Sequence, residues 1–375
     1  MNLQTFEIED RHKKFEVQIP QLEDFKLREG DLISEQRVLE NPNISLYGLD
    51  PKNRTAIFVE TPTEVDLSQV PFYYMSQFAH ATRVILVPYL VLHNLARQVP
   101  LEGHQLILVY SVGRSGSTLT SAAFNQADGV IGLSEPDIFT QLTAMRAWDG
   151  SNDQEISELL KSCTHLTCKT PVSKDKPQKW AIKFRSYGIE IGDLMYSLFP
   201  DAKCLFLYRN LEDWTDSMVR AFGGDEKITP EVLNLFWEFM KPLVKIAASY
   251  SVENEKLSLA PVFGLHWLSP MERYLDLAEK GIPILPVRYE DMKQKTLSVM
   301  EKIFSYCGLE TKDQDELKRV LEKDSQAGSP LGRDFTQDQQ FNSKREVMKK
   351  LYELLATRPV INRSDFELPG TLVLE

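Results

Sequence analysis

A short aliphatic run followed at once by a turn of small residues most constrains what this chain can fold into. The run is QLILVY, Gln105 to Tyr110, and the residues after it read SVGRSGSTLTSAAFNQA. A continuous apolar run of this length predicts a strand buried on both faces of a sheet. A helix is expected to begin in the glycine turn, so its first N–H groups and its dipole would converge on an anion.

Strands and helices alternate along the rest of the chain. Three further strands are predicted at Trp180–Phe184, Lys203–Arg209 and Ile282–Glu290. Helical patterns separate them, within residues 116–127, 189–199, 211–222, 230–250, 264–280 and 291–308. Strands separated by helices indicate a parallel sheet with helices on both faces, whose ligands bind beyond the carboxyl ends of the strands. The expected fold class is therefore α/β, with a central parallel sheet flanked by helices.

The first hundred residues stand apart from this alternating pattern. They contain short β-like runs such as RTAIFVE, Arg54 to Glu60, and one helical pattern from Phe78 to Gln98 that ends before Pro100. We expect residues 1–100 to be an N-terminal elaboration packed on the main α/β domain, residues 101–375. An independent functional module is the alternative.

Charge and cysteine content exclude several function classes. Lys and Arg total 43 against 54 Asp and Glu, a net charge of -11, which argues against a general nucleic-acid binder but not against one local basic site. The four cysteines show no CxxC spacing, which suits a reducing compartment and gives no zinc or redox motif. The N-terminus is polar, and the most apolar stretch is too short to span a bilayer. We expect a soluble, cytoplasmic protein with no membrane span and no nucleic-acid partner.

The glycine turn differs from the loop of ATP-binding proteins. That loop reads GxxxxGK[ST], which aligned on Gly116 would require glycine at position 111 and lysine at position 117. The chain has Ser111 and Ser117 there, and its cation, Arg114, precedes the second glycine. One displaced cation among neutral donors suits a transferred group that carries less negative charge than a terminal phosphoryl group. Such a group has less need of magnesium, and no metal is expected.

The stretch GRSGSTL, Gly113 to Leu119, resembles the phosphosulfate loop of sulfotransferases that use 3′-phosphoadenosine 5′-phosphosulfate (PAPS). The resemblance implies a P-loop nucleoside-triphosphatase-like core and PAPS as co-substrate. It also implies that the 5′ end of PAPS binds to a run of six residues, Gly113, Arg114, Ser115, Gly116, Ser117 and Thr118. A plain tight turn before a helix is the alternative.

A second stretch, LYRNLEDWTDSMVRAF, strengthens the resemblance. It places Arg209 at the end of a strand and Ser217 eight residues later in the following helix. The 3′-phosphate site of the family is similar, and arginine offers a bidentate fork for phosphate oxygens. An isolated arginine is more often a surface ion-pair residue. Two signatures in order, each at a strand-to-helix junction, argue against coincidence.

Two further matches are weaker. PILPVRYEDM, Pro283 to Met292, resembles a late strand of the family, and Glu290 or Asp291 is expected to cap the next helix. The glycine-rich segment from Ser325 to Asp334, with Arg333 as its cation, stands roughly where the family has another 3′-phosphate element. The resemblance covers about residues 105–308.

The family also suggests a general base. Many cytosolic members use a histidine two residues after a lysine, but here Lys183 is followed by Phe184 and Arg185. Other branches with a similar loop use a glutamate about two dozen residues after it, and Glu135 lies twenty-one residues after Arg114. The resemblance therefore implies Glu135 as the base. The alternative is that Glu135 caps a helix beginning near Pro136, for which Ser134 is better suited.

Several other side chains are candidates for supporting roles. Lys183 and Arg185 are expected to neutralise charge on the bridging oxygen or the departing phosphate, with Lys169 as a competitor and a solvated turn as the alternative. The catalytic residues implied are thus Glu135, Arg114 and Lys183. Histidines 165 and 266 are expected to be structural rather than catalytic. Tryptophans 148 and 214 are candidates for adenine stacking, although a core role is favoured for the second.

Three functions follow from these patterns. The first is transfer of a sulfuryl group from PAPS to a hydroxyl acceptor, which would be a carbohydrate, a lipid or another small molecule. The second is a degenerate P-loop kinase. A kinase is expected to have a magnesium-binding acidic residue after the strand KCLFLY, and the chain has Arg209 there, which argues against this function. The third is a non-catalytic, nucleotide-binding interaction module.

Overall fold

The computed structural model describes residues 1–15, 17–169, 179–222, 229–248, 259–311, 313–323 and 344–374. Its strands in these ranges are β1 (Asn2–Arg11), β2 (Phe25–Ser34), β3 (Ile44–Asp50), β4 (Thr55–Glu60), β5 (Arg83–Pro88), β6 (Leu106–Ser111), β7 (Val130–Ser134), β8 (Lys179–Lys183), β9 (Lys203–Tyr208) and β10 (Ile284–Arg288). Its α-helices there are α1 (Arg37–Glu40), α2 (Tyr73–His80), α3 (Tyr89–Ala96), α4 (Ser117–Phe124), α5 (Ile138–Met145), α6 (Asp153–Thr167), α7 (Gly192–Leu198), α8 (Leu211–Phe222), α9 (Pro230–Met240), α10 (Lys245–Ala248), α11 (Leu259–Glu279), α12 (Tyr289–Gln294), α13 (Thr296–Cys307), α14 (Gln314–Glu322) and α15 (Lys344–Ala356).

The first ninety residues form an antiparallel sheet with the strand order β2-β1-β5-β4-β3. One face of this sheet buries a cluster made of Phe25, Tyr47, Ile57, Val59, Ala81 and Val84. The predicted β-run RTAIFVE is confirmed as β4. The first hundred residues therefore contain a sheet of their own.

The helix predicted from Phe78 to Gln98 is wrong in its middle. RVILVP forms β5, which pairs with β4 along its whole length, from Arg83 opposite Glu60 to Pro88 opposite Thr55. Helix α2 ends before this strand and α3 begins after it. A continuous apolar run has no periodicity that separates strand from buried helix, and here sheet pairing decides.

The second sheet is the parallel sheet that the alternating pattern predicts. Its order is β10-β9-β6-β8-β7, with parallel pairing of β10 to β9 and of β7 to β8. All six residues of β6 are buried, as expected for a strand covered on both faces. The α/β fold class, a parallel sheet flanked by helices, is confirmed.

The chain forms two compact units. The first unit comprises Met1–Ile107, Gly129–Phe184 and Leu194–Ala202, and the second comprises Leu108–Asp128, Arg185–Asp193 and Lys203–Glu375. The domain division expected at residue 100 stays a prediction. Across the described ranges, every helix is too short or too polar to span a bilayer.

Candidate functional site

The turn between β6 and α4, in the second unit, has left-handed backbone at three positions. The φ angles are 72° at Gly113, 50° at Arg114 and 82° at Gly116. In a turn where left-handed and right-handed backbone conformations follow each other, successive N–H groups point into one concavity. The first turn of α4 adds N–H groups that have no acceptor within the helix. This local geometry, which the two glycines permit, favours binding of an anion.

Neighbouring side chains also limit the space at both glycines. A Cβ on Gly116 would lie 2.8 Å from the Sδ atom of Met292 and 3.1 Å from the ring of Tyr289. A Cβ on Gly113 would lie 2.7 Å from the Oγ atom of Ser186. The loop is therefore packed against α12 at one glycine and against the 186 region at the other.

Hydroxyl groups of the loop hold its shape. The Ser115 hydroxyl is fully buried and donates to the Leu207 carbonyl at 3.0 Å. The Ser111 hydroxyl accepts from the Gly113 N–H at 3.2 Å, and its oxygen lies 3.4 Å from that of Ser117. The hydrogen of the Ser115 hydroxyl is therefore not available to a ligand. The predicted ligand contact of Ser115 is one that its backbone N–H would make. Ser117 and Thr118 are buried at the start of α4.

Trp214 on α8 supports the loop from the protein interior. Its indole N–H lies 3.1 Å from both the Val112 and the Gly113 carbonyl oxygens. Its side chain is fully buried, which leaves no face for adenine. The core role predicted for Trp214 is confirmed. Trp148, the other stacking candidate, is half-buried in the first unit.

The two predicted nucleotide signatures meet in the second unit. The Arg114 Nε–H donates to the Ser217 hydroxyl at 3.0 Å. The guanidinium of Arg209 donates to the Arg114 carbonyl at 3.2 Å. Two stretches about ninety residues apart in sequence therefore form one cationic cluster.

Arg209 is a buried cation whose hydrogen-bonding capacity is not filled by the described residues. Its side chain lies over the Tyr289 ring, 4.5 Å from the ring centre, and the Trp267 indole donates to its backbone carbonyl at 2.8 Å. Its Nε is buried without a hydrogen-bond partner, and no carboxylate of the described chain lies within 4.0 Å. Burial lowers the pKa of Arg209. An anionic oxygen would satisfy this donor, since unfilled buried donors are costly.

Glu135 and Lys183 form a second cluster, in the first unit. Their strands are neighbours, with Ser134 opposite Lys183 in the parallel register. The Glu135 N–H donates to the Lys183 carbonyl at 2.7 Å, and the two side chains form an ion pair. Lys183 is 3% exposed and lies 5.7 Å from the ring centre of Phe72. The alternative of a solvated turn is therefore wrong for Lys183.

The alternative role for Glu135, as a helix cap, is also wrong. Helix α5 begins at Ile138 with Asp137 at the N-cap position, and the Ser134 hydroxyl donates to the Pro71 carbonyl at 2.6 Å. Glu135 has left-handed backbone, with φ of 63°. Such a conformation costs a non-glycine residue about 1–3 kcal/mol, and it tends to occur at functional sites.

Residues 105–329 match the family model described as a sulfotransferase domain, which is more than half of the chain. The chain belongs to the sulfotransferase family. No curated protein matches it significantly.

Solved sulfotransferases resemble this sulfotransferase at low identity. The enzyme STF9 from Mycobacterium avium is 16% identical with a TM-score of 0.42, over 75% of this chain and 82% of that one. A sulfotransferase from Alicyclobacillus acidocaldarius is 15% identical with a TM-score of 0.37, over 71% and 97%. Mouse SULT7A1, solved in complex with PAP, is 14% identical with a TM-score of 0.35, over 72% and 91%.

The remaining candidates of this sulfotransferase lie in varied surroundings. Lys169 donates to the Val38 and Asn41 carbonyls at 2.5 and 2.7 Å, so backbone oxygens fix the position of its ammonium group. Burial lowers the pKa of Lys169 to about 7. The Nδ1 atom of His165 lies 2.7 Å from the Val99 carbonyl oxygen, a contact that agrees with the structural role predicted for it. The Arg185 guanidinium lies over the Phe239 ring at 4.9 Å.

The late-strand prediction needs one correction. Helix α12 begins at Tyr289 with Arg288 at the N-cap position, so Glu290 and Asp291 lie inside its first turn and do not cap it. Glu290 instead accepts from the backbone N–H of Asn210 at 3.1 Å and from its side-chain amide at 2.5 Å. The segment 325–334, with Arg333, lies outside the described residues.

Residues that sequence reasoning missed or set aside complete the surroundings of the loop. Tyr289 and Trp267 contact Arg209, and His266 lies with its ring centre 5.4 Å from that of Trp214. They lie on α11 and α12, far from the loop in sequence, and no spacing rule connects them to it.

Substitution of Gly116 by alanine is expected to destabilise the protein and to weaken anion binding. The φ of 82° costs alanine about 1–2 kcal/mol, and its Cβ would press on Met292 and Tyr289 at a further cost of about 1–3 kcal/mol. Gly281→Ala is the matched control, because its φ is 76° but nothing lies within 4 Å of the new Cβ. Urea unfolding measures the loss of stability in each of the two variants. Equal losses would contradict the argument that contacts with Met292 and Tyr289 add to the cost at Gly116.

Proposed function

We propose that this sulfotransferase moves a sulfuryl group from PAPS to the hydroxyl of an acceptor, which is a carbohydrate, a lipid or another small molecule. The observation that carries the proposal is the buried Arg209, whose unfilled Nε lies in one cluster with Arg114, Ser217 and the glycine turn. Two separate groups of anion donors within one cluster suit a nucleotide with phosphates at two positions.

Each group of donors has its own part in holding the co-substrate. Residues Gly113 to Thr118 bind the 5′-phosphosulfate end through backbone N–H groups and the start of α4, as a helix N-terminus favours. Arg209 and Ser217 bind the 3′-phosphate. When bound, PAPS supplies the sulfuryl group and a phosphate as the leaving group. Arg114 stabilises the charge that develops on the oxygens of the transferred group.

Glu135 accepts the proton of the acceptor hydroxyl in this proposal. The bond between sulfur and the bridging oxygen breaks, the bond between sulfur and the acceptor oxygen forms, and the proton goes to a carboxylate oxygen of Glu135. The ion pair with the buried ammonium of Lys183 fixes the orientation of the Glu135 carboxylate, and a general base must be held in a fixed position. Lys183 also offsets charge on the leaving phosphate. No metal is required for any of these steps.

A thermal-shift series without magnesium tests the choice of nucleotide. Adenosine 3′,5′-bisphosphate should stabilise the protein more than ATP or AMP at equal concentration, by about 2.7 kcal/mol at 100 times its Kd. Preference for ATP would instead support the kinase. Bisphosphate binding without transfer to any hydroxyl in a panel of sugars, lipids and phenols would support the interaction module.

A further inference from the structure

We propose that His266 binds the 5′-phosphosulfate end of the nucleotide, by donating a hydrogen bond from its Nε2 atom. The inference rests on the proposed function and adds to it a binding residue that no sequence motif marks. Its basis is the placement of the ring on α11, against the glycine turn and within the same unit.

The Nε2 edge of the ring faces the loop at Gly113. The Nε2 atom lies 3.9 Å from the position that a Cβ would take on this glycine. Trp214, whose ring centre is 5.4 Å from that of His266, donates its N–H to the Gly113 carbonyl. The imidazole is therefore next to the backbone that is proposed to hold the anion. It is half-buried, so one edge can be reached.

The hydrogen bond at the other ring nitrogen determines where the proton lies. The Nδ1 atom is 2.7 Å from the hydroxyl oxygen of Tyr187, which is buried and has its pKa raised by burial, so it stays protonated. Within the described chain this hydroxyl has no other acceptor, so its hydrogen goes to Nδ1. A neutral imidazole that accepts at Nδ1 must carry its proton on Nε2. Tyr187 thereby makes Nε2 a donor.

That donor has no partner in the described part of the chain. Burial, and then the Arg185 charge, lower the pKa of His266 to about 3, so the ring is neutral near pH 7. The glycine turn contains one cation, Arg114, and the N–H of His266 is a neutral donor. Such a site suits a ligand group that carries little negative charge. Donation to an anionic oxygen would fill an otherwise unmade hydrogen bond.

Calorimetric titration of the full-length chain with two nucleotides tests this inference without turnover. His266→Leu should weaken adenosine 3′,5′-bisphosphate about 10- to 100-fold, the effect of one hydrogen bond to a charged group. Its affinity for adenosine 3′-monophosphate, which lacks the 5′ end, should change less than about twofold. His266→Gln, whose amide nitrogen replaces Nε2, should recover most of the bisphosphate affinity.

Two further variants sharpen the test. Tyr187→Phe removes the group that fixes the tautomer and should weaken the bisphosphate by a smaller factor than His266→Leu. His165→Leu, a histidine held by a backbone carbonyl in the first unit, should leave both affinities unchanged.

The outcomes separate this inference from the proposed function. If the wild-type chain binds bisphosphate and His266→Leu binds it equally well, or loses both nucleotides equally, the inference is wrong and the function stands. If the wild-type chain binds neither nucleotide, the proposed function fails and the inference falls with it. Selective loss of bisphosphate affinity, with recovery by glutamine, supports both.

Discussion

Glu135→Gln is expected to lower the rate of sulfuryl transfer by about 10²- to 10⁴-fold, the usual contribution of a general base. Glutamine has nearly the same shape but its amide cannot accept the proton. The donors proposed to bind the nucleotide lie elsewhere in sequence, on the glycine turn, at Arg209 after β9 and at Ser217 on α8, so the thermal shift by adenosine 3′,5′-bisphosphate should persist. Initial rates at saturating PAPS measure the loss.

The variant also disturbs a buried ion pair, and this effect must be separated from chemistry. Loss of the carboxylate leaves the ammonium of Lys183, only 3% exposed, without its counter-charge. Breaking a buried pair costs about 3–5 kcal/mol, whereas replacing both charges is often neutral. Glu135→Gln combined with Lys183→Met should therefore recover Tm. Its Tm is the readout rather than its rate, because Lys183 is itself proposed to act on the leaving phosphate.

Glu190→Gln is the matched control for that experiment. Glu190 is also buried, accepts from the Ser269 hydroxyl at 2.7 Å, and has its pKa raised by burial to about 7. Its neutral replacement should leave the transfer rate near that of wild type. A rate for Glu135→Gln within tenfold of wild type would mean that another residue takes the proton.

Arg209→Ala is expected to abolish the stabilisation by adenosine 3′,5′-bisphosphate. Hydrogen bonds to charged groups contribute about 1.5–3 kcal/mol each, so loss of a bidentate contact predicts at least a 100-fold weaker Kd. The ligand-free protein should lose about 0.5–1.5 kcal/mol with the hydrogen bond to the Arg114 carbonyl, but no ion pair, because the guanidinium has no carboxylate partner in the described ranges. Titration calorimetry and Tm measure the two effects.

Arg288 provides the control, because it ends the neighbouring strand. Residue 288 pairs with Tyr208, next to Arg209, in the parallel register, and its guanidinium lies 3.3 Å from Glu290 and 3.9 Å from Glu367. The two carboxylates compensate the positive charge of Arg288, so this arginine attracts an anionic ligand only weakly. Arg288→Ala should keep the bisphosphate shift, and the reverse pattern in the two variants would overturn the assignment of Arg209.

The parallel sheet could be predicted because its strands are short apolar runs bounded by glycine, proline or charge. The runs at β6, β8, β9 and β10 lie within two residues of their predicted bounds. The run that contains β5 could not be assigned, because RVILVP continues directly into the apolar helix α3. Strand order in both sheets depends on contacts between distant residues, on which local patterns carry no information.

The candidate site was predictable where its residues share a motif. The glycine turn, Arg209 and Ser217 each belong to a continuous stretch, and the structure brings them together. The contact between Glu135 and Lys183 depends on β7 and β8 being neighbours, which sequence alone does not specify. His266 reaches the loop through the packing of α11, so its position could not be inferred from spacing.

The shape of the glycine turn is set by the protein itself. Trp214 holds two of its carbonyls, the Ser115 hydroxyl ties it to Leu207, and the carbonyl of Arg114 is held by Arg209. A loop that is ordered in this way loses little conformational entropy when it binds an anion. Its affinity for the anion therefore depends more on preorganisation than on contact area. Packing substitutions around α8 that never touch a nucleotide should therefore change the affinity for an anion mainly by loosening the loop.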